Sequence, residues 1–184
     1  MGVGTSGRYD PAVRTRLVEP GDAAALAAIY NREVQEPSVT FDLVARSPGE
    51  QLEWIEAHRG AHAALVAVAE DPSIGEPGAR GEVICGFASL SPFRDRPAYA
   101  TTVEDSVYVH RGARGRGVGR LLLEALVDAA RDGGFHSVIG RIVGINEASI
   151  RLHEGCGFQM VGVEREVGRK HGRWLDVVEV QLLL

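Results

Sequence analysis

The stretch "RGARGRGVGRLLLEALVDAA", Arg111 to Ala130, decides how this chain is read. Its first ten residues hold four arginines and four glycines, and then it turns apolar. From Val118 onward, Leu122, Ala125, Leu126 and Ala129 recur at i+4, i+7, i+8 and i+11, the spacing of one buried helix face. Three readings compete for the basic part: an Arg/Gly segment for nucleic acid, a flexible linker, or a loop that cradles phosphate. A formal net charge of −5 over 184 residues speaks against a broad nucleic-acid surface and leaves the cluster a small anionic partner. The amphipathic helix that follows directly is foreign to a linker. The first amides of a helix have no partners within it, and the helix dipole adds partial positive charge there. Glycine lets the backbone approach a ligand without a Cβ in the way. The stretch reads as an anion cradle.

Working outward, "TTVEDSVYV" just upstream alternates as a strand. Val103, Asp105, Val107 and Val109 take one face; Thr102, Glu104, Ser106 and Tyr108 take the other. Downstream, "RDGG" ends the helix, with Gly133 or Gly134 as its C-terminal glycine. "HSVIGRIVG" is then a strand, "NEASIRLHEG" a short helix, and "FQMVGVEREVG" and "WLDVVEVQLLL" two closing strands, with "KHGRW" turning between them. Toward the start, Thr15 to Val18 reads as a strand, and "GDAAALAAIYNREV" as a helix with Asp22 as N-cap and Leu26, Ile29 and Tyr30 inward. "SPGEQLEWIEAH" carries Ser47 at N-cap, Pro48 at N1 and Glu50 at N3, a complete helix start signal. "AALVAVAE" and "EVICGFASLSPF" are strands joined by the turn-rich "DPSIGEPGARG". Strands and helices interleave, which makes this an α/β chain with a mixed sheet.

The composition, 45% hydrophobic and 24% charged, is that of a globular protein with a sizeable core. We expect a tail over residues 1–13 and one domain over 14–184. "MGVGTS" fits both a myristoylation pattern at Gly2 and a Gly/Ser-rich tail. Two cysteines are too few for a disulfide framework, so a reducing cytoplasm is the expected setting. No run reaches membrane-spanning length and no signal-peptide core is present, so neither membrane nor nucleic acid is an expected partner. His58 and His62 have metal-like spacing, but Gly60 lies between them and no carboxylate partner is evident; no metal site is expected.

Which anion does the loop hold? The G-x-G-x-x-G fingerprint fails, because Gly115, Gly117 and Gly119 lie two apart and Arg120 stands where the last glycine belongs. The P-loop fails for want of Gly-Lys-Ser/Thr. R-x-x-G-x-G does fit, as Arg114, Gly117 and Gly119. Between a strand and a helix, that motif resembles the pyrophosphate loop of the GNAT superfamily of acyl-CoA-dependent N-acetyltransferases. "SVYVHRGARGRGVGRLLLEAL", "NEASIRLHEGCGF" and "GRKHGRWLDVVEVQLLL" follow in the order of one branch, the phosphinothricin and methionine sulfoximine acetyltransferases. "PFRDRPAYATTVEDSVYV" resembles that branch's substrate segment and "SVTF", Ser38 to Phe41, its early active-site loop. The resemblance covers residues 14 to 184.

It implies a GNAT fold: a mixed, mostly antiparallel sheet of about seven strands, splayed at the cofactor site and flanked by about four helices. It implies acetyl-CoA as co-substrate, a small amine as acceptor and a homodimer. Val107, Tyr108 and Val109 would pair with the pantetheine as an added strand does, the Val107 amide polarising the thioester. Arg114, Gly115, Arg116, Gly117, Val118, Gly119 and Arg120 would hold the pyrophosphate. Amines are mostly protonated at neutral pH, so a base is needed; Glu104 has the family's position, and Asp105 on the opposite face is the weaker contender. Asn146, Ser149 and His153 share one helix face, with Asn146 and Ser149 on the cofactor. His153 stands where many relatives have a thiolate-protonating tyrosine; proton donor and hydrogen-bond partner are both open for it. Phe41, Arg94, Arg96, Glu104 and Ser106 would meet the substrate, the arginines taking its carboxylate. Two rivals stand beside this reading: another amine as acceptor (aminoglycoside, polyamine or protein N-terminus), and a sensor that binds acyl-CoA without turnover.

Overall fold

The computed structural model describes residue 10 and residues 12–184. Gly2, with residues 1–9 and 11 of the expected tail, lies outside the described residues. Asp10 already docks on the domain, its N–H donating to the Arg116 carbonyl, and Val13 is buried.

The chain runs β1 (Arg14–Leu17), α1 (Ala23–Val34), α2 (Pro48–Ala57), β2 (Ala64–Ala69), β3 (Glu76–Pro77), β4 (Val83–Pro92), β5 (Thr102–Val109), α3 (Val118–Asp132), β6 (Ser137–Val143), α4 (Glu147–Gly155), β7 (Gln159–Lys170) and β8 (Arg173–Leu183). One sheet has the order β1, β2, β4, β5, β6, β8, β7. The short β3 adds to β4, an eighth strand inside the segment read as turn; two residues are too few to leave an alternating signal. Every pair is antiparallel except β5 with β6.

The sheet has two covered faces. On one, Leu26, Ile29, Tyr30 and Val34 of α1 and Ile55 of α2 pack on Val66, Val68, Ile84 and Phe87. On the other, Leu122, Leu123 and Leu126 of α3 have no exposed surface and meet Leu65, Cys85, Leu90, Val103 and Val138. Each such leucine contributes about 1.5–3 kcal/mol. The start of α2 is the capping box read from the sequence, with Ser47 Oγ accepting from the Glu50 N–H and Glu50 accepting from the Ser47 N–H. Asp22 does sit at the N-cap of α1, yet its carboxylate does not cap the helix. It accepts instead from Arg16 and from the Glu19 and Ala79 N–H groups, because burial beside a guanidinium offers stronger partners than helix amides. His171 and Gly172, both at positive φ, make the two-residue turn between β7 and β8.

Candidate active site

The site begins where two strands part. β5 and β6 pair in parallel from Thr102–Ser137 as far as Asp105–Gly140, and no further. Beyond that point β5 still pairs with β4 through Val109 and Gly86, while β6 pairs with β8 through Val143 and Val177. Alternate N–H and C=O groups of Ser106–Val109 therefore face an open cleft instead of a neighbouring strand. Gly140 stands at the apex. A Cβ there would lie 2.8 Å from Val180 Cγ2, 3.1 Å from Asp105 Oδ1 and 3.1 Å from His153 Cδ2.

On the α3 face the cleft widens into a cavity of about 390 Å³, whose walls include Val107, Val109, Gly115, Gly117, Gly119 and Asn146. Gly115 and Gly117 have φ of 77° and 81°, so the chain turns into α3 through a conformation that L side chains rarely adopt. Gly119 sits close to α4: a Cβ there would meet Leu152 Cδ2 at 3.2 Å, a tight contact. Among the described residues no side chain caps α3, and its first internal bond runs from the Leu121 N–H to the Gly117 carbonyl. The amides before Leu121 have no acceptor within the helix. The Asn146 side chain caps α4, accepting from the Ser149 N–H.

The arginines of the loop are already engaged. Arg114 donates to Glu33 at 2.7 Å and to the Val109 carbonyl; Arg111 donates to Glu36. Arg116 faces Asp10 at 3.9 Å and is not part of the cavity wall. Arg120 donates to the Gly155 carbonyl at 2.7 Å and faces Glu124. The structure places the charge of these side chains against carboxylates and a carbonyl. Arg114 and Arg120 also line the cavity, beside the glycines of the loop.

On the other face lies a cavity of about 570 Å³, lined by Phe41, Glu104, Ser106, Tyr108, Arg141 and Arg169 among others. A smaller cavity of about 50 Å³ at the splay shares Ser106 and Tyr108 with it, and Val107, Asn146 and Ser149 with the cavity on the α3 face. Val39 borders all three. The cleft thus passes through the sheet. Burial pushes the Glu104 carboxyl above its ordinary range, and Arg141 partly offsets this. Arg141 in turn ion-pairs with Glu164 of β7. Tyr108 packs against Tyr30 and Phe87, ring centroids 5.0 Å apart in each case, and burial raises its phenol well above the usual tyrosine range.

The loop over this cavity is pinned by groups the sequence did not disclose. Lys170, 1% exposed, donates to the Thr40 carbonyl at 2.7 Å; Tyr30 bonds Thr40 and Asp42; Arg46 lies 3.9 Å over the Tyr30 ring. Phe41 rests where a Cβ on Gly168 would be. Nothing in a lysine next to a turn announces burial. Arg141 was equally silent, since only the parallel register brings it beside Glu104.

Arg94 and Arg96 are placed elsewhere. Both are exposed and neither lines the Glu104 cavity. They lie in the connection at the Pro92–Val103 end of the β4–β5 hairpin, whereas Glu104 to Tyr108 run away from that end. Arg94 stacks on Phe93 instead, 4.8 Å from the ring centroid. His153 is buried, its Nε2 facing Asp105 Oδ2 at 2.9 Å and its Nδ1 facing the Ser149 carbonyl at 2.8 Å. His58 stacks on Trp54 and bonds its carbonyl. Trp174, 59% exposed, lies near Arg169 and packs on no core.

The sequence profile of the acetyltransferase (GNAT) family matches residues 26–158. A phosphinothricin N-acetyltransferase of Streptomyces coelicolor is 43% identical over 163 residues, covering 87% of this chain and 91% of the relative. An L-methionine sulfoximine/L-methionine sulfone acetyltransferase of Salmonella typhimurium is 37% identical, covering 92% and 93%. Among solved structures, a GNAT superfamily phosphinothricin acetyltransferase from Sinorhizobium meliloti in complex with AcCoA superimposes with a TM-score of 0.84 at 33% identity, covering 94% of this chain and 89% of that one.

Proposed function

Since this chain belongs to the acetyltransferase (GNAT) family, we propose that it transfers the acetyl group of acetyl-CoA to the α-amine of a small amino acid or analogue of the phosphinothricin or methionine sulfoximine type. The observation that carries the proposal is the cleft through the sheet, with the glycine loop on one side and Glu104 on the other.

Acetyl-CoA supplies an activated thioester. The amides ahead of Leu121, with those of Gly115 and Gly117, hold its pyrophosphate, helped by the dipole of α3. The open edge of Val107 to Val109 pairs with the pantetheine amides, and the Val107 N–H stabilises charge developing on the carbonyl oxygen. Asn146 and Ser149 line the opposite wall. In the acceptor cavity, Glu104 takes the proton that an ammonium must lose before attack. Its raised pKa suits the task, because a base nearer neutrality matches the amine better. The α-carboxylate is taken by Arg141, with Arg169 at the rim; these two replace Arg94 and Arg96 in that role. Phe41 and Ser106 shape the space around the side chain.

Among the described residues no helix is long and apolar enough to cross a membrane. The cytoplasm remains our expected location, on the two free cysteines, and a homodimer our expected assembly. The test is thiol release from acetyl-CoA across a panel of phosphinothricin, methionine sulfoximine, proteinogenic amino acids, polyamines and aminoglycosides. Rates highest on the first two support the proposal. Preference for a polyamine or aminoglycoside refutes the acceptor class, and binding without release on any amine refutes catalysis.

A further inference from the structure

Only one residue of α4 is buried, and it is a histidine. Ile150 and Leu152 are only partly buried against the core. The helix carries much of one cleft wall, since Asn146, Ser149 and Leu152 line the cofactor cavity. Something must hold that wall at a fixed distance from β5. The His153 ring reaches from α4 to Asp105, the last β5 residue paired with β6 before the strands part.

Both ring nitrogens face acceptors: Nε2 the Asp105 carboxylate, Nδ1 the Ser149 carbonyl. Against an ionised carboxylate and a carbonyl, neither of which can donate, both contacts are satisfied by a ring carrying a proton on each nitrogen. The other groups around it are the Ser149 hydroxyl, 3.5 Å from Nδ1, the Phe158 ring edge-on at 5.0 Å, and Gly140 at the apex. Arg141, a cation that lines the same small cavity, is ion-paired with Glu164. Burial alone would push the imidazole toward neutrality, yet Asp105 and the Ser149 carbonyl outweigh it and hold its pKa above the ordinary value.

We propose that Asp105 and His153 form a charged latch tying α4 to β5 at the apex of the cleft, and that His153 is a positioning residue which does not protonate the departing thiolate. Resting on the reading of the cleft as an acetyl-CoA site, the latch sets the cleft's width and hence cofactor affinity. Gly140 is part of it, because a Cβ there would press on both partners.

Two measurements test the latch. The first needs no turnover: nitrogen NMR of the wild-type histidines at pH 7.5, with the His153 signal identified by its loss in His153→Gln. An ordinary histidine, with a pKa near 6.5, would be about tenfold more neutral than charged at that pH. The latch expects a ring protonated on both nitrogens; a mainly neutral ring overturns it. The second is kinetic. His153→Gln keeps a donor toward Asp105 but cannot release a proton, so the KM for acetyl-CoA should rise severalfold while kcat at saturation falls less than threefold. His153→Ala removes the donor altogether and should raise that KM further, by tenfold or more. A loss of kcat of about a hundredfold in His153→Gln, with KM unchanged, assigns proton donation to the ring and overturns the latch. Failure of the wild type to bind acetyl-CoA refutes the underlying site reading, and the NMR result separates that failure from a failure of the latch.

Discussion

Arg114, the arginine of the R-x-x-G-x-G loop, donates to Glu33 of α1 across 81 positions of sequence, at 2.7 Å. Glu33 is buried, its other oxygen has no partner among the described residues, and Arg111 approaches the same carboxylate at 3.7 Å. One acid on the first helix therefore anchors the glycine-rich loop ahead of α3. Replacing it by Gln removes the acceptor's charge and leaves the guanidinium on a neutral carbonyl, a difference of about 1 kcal/mol. Glu33→Gln should accordingly raise the KM for acetyl-CoA about fivefold with kcat little changed. An unaltered KM would show that the loop holds its shape without the tether.

The cradle itself is tested at Gly117, which combines a positive φ with a place in the cavity wall. Gly117→Glu adds strain of about 1–2 kcal/mol and sets a carboxylate among amides that await an anion. Acetyl-CoA binding measured by calorimetry should vanish. A folded G117E protein with wild-type affinity would remove the loop from the cofactor site.

Glu104 makes two predictions through pH. Glu104→Gln keeps the shape but accepts no proton, and should slow turnover by about a hundredfold or more at neutral pH. In the wild type, activity needs the ionised carboxylate, so kcat/KM should fall on the acid side through a pKa above the ordinary glutamate value. Arg141 holds that pKa down; Arg141→Gln should therefore move the acid limb to higher pH. A limb that stays put, or moves lower, would show that some other group titrates there.

Arg141 also carries the acceptor's carboxylate in our reading. A charge-assisted hydrogen bond contributes about 1.5–3 kcal/mol. Substrate carboxamides should thus react about ten- to a hundredfold more slowly in kcat/KM than the acids. Arg141→Met should erase that preference, at a pH well above the acid limb. If instead Arg94→Met or Arg96→Met erases it, the carboxylate is held outside this cavity.

The Arg16–Asp22 pair predicts how the fold responds to acid. Asp22 has no exposed surface and bonds Arg16 at 2.7 and 3.0 Å. Burial alone would raise its pKa, but Arg16 and two backbone N–H groups bring it below the ordinary value. Its stabilisation is full above the unfolded-state pKa of about 3.9 and is lost as pH falls through the lower folded value. Asp22→Asn should cost about 1–3 kcal/mol in urea unfolding at pH 7, since it leaves Arg16 with Glu82, 2.8 Å away, as its remaining carboxylate partner. The gap should close on acidification; a gap constant down to pH 2 would mean that charge is not its source.

Signals that act over one turn or one strand were legible in the residues. Ser47, Pro48 and Glu50 start α2 where their chemistry says, and the periodicity from Val118 gives α3 its buried face. The alternation of β5 separates Glu104, Ser106 and Tyr108 from Val107 and Val109, and the two sets do line cavities on opposite faces. Even a glycine of the anion loop follows from local need, for positive φ at Gly117. What the tertiary structure alone decided is which charges meet. Arginine and glutamate side chains are long and their attraction has no sequence period, so nothing local pairs Arg114 with Glu33, Asp105 with His153 or Lys170 with Thr40. Those contacts depend on strand order and register, and above all on the parallel pairing that stops at Asp105 and Gly140. That stop opens the cleft, brings Arg141 to the cavity of Glu104, and leaves Arg94 and Arg96 at the far end of the hairpin.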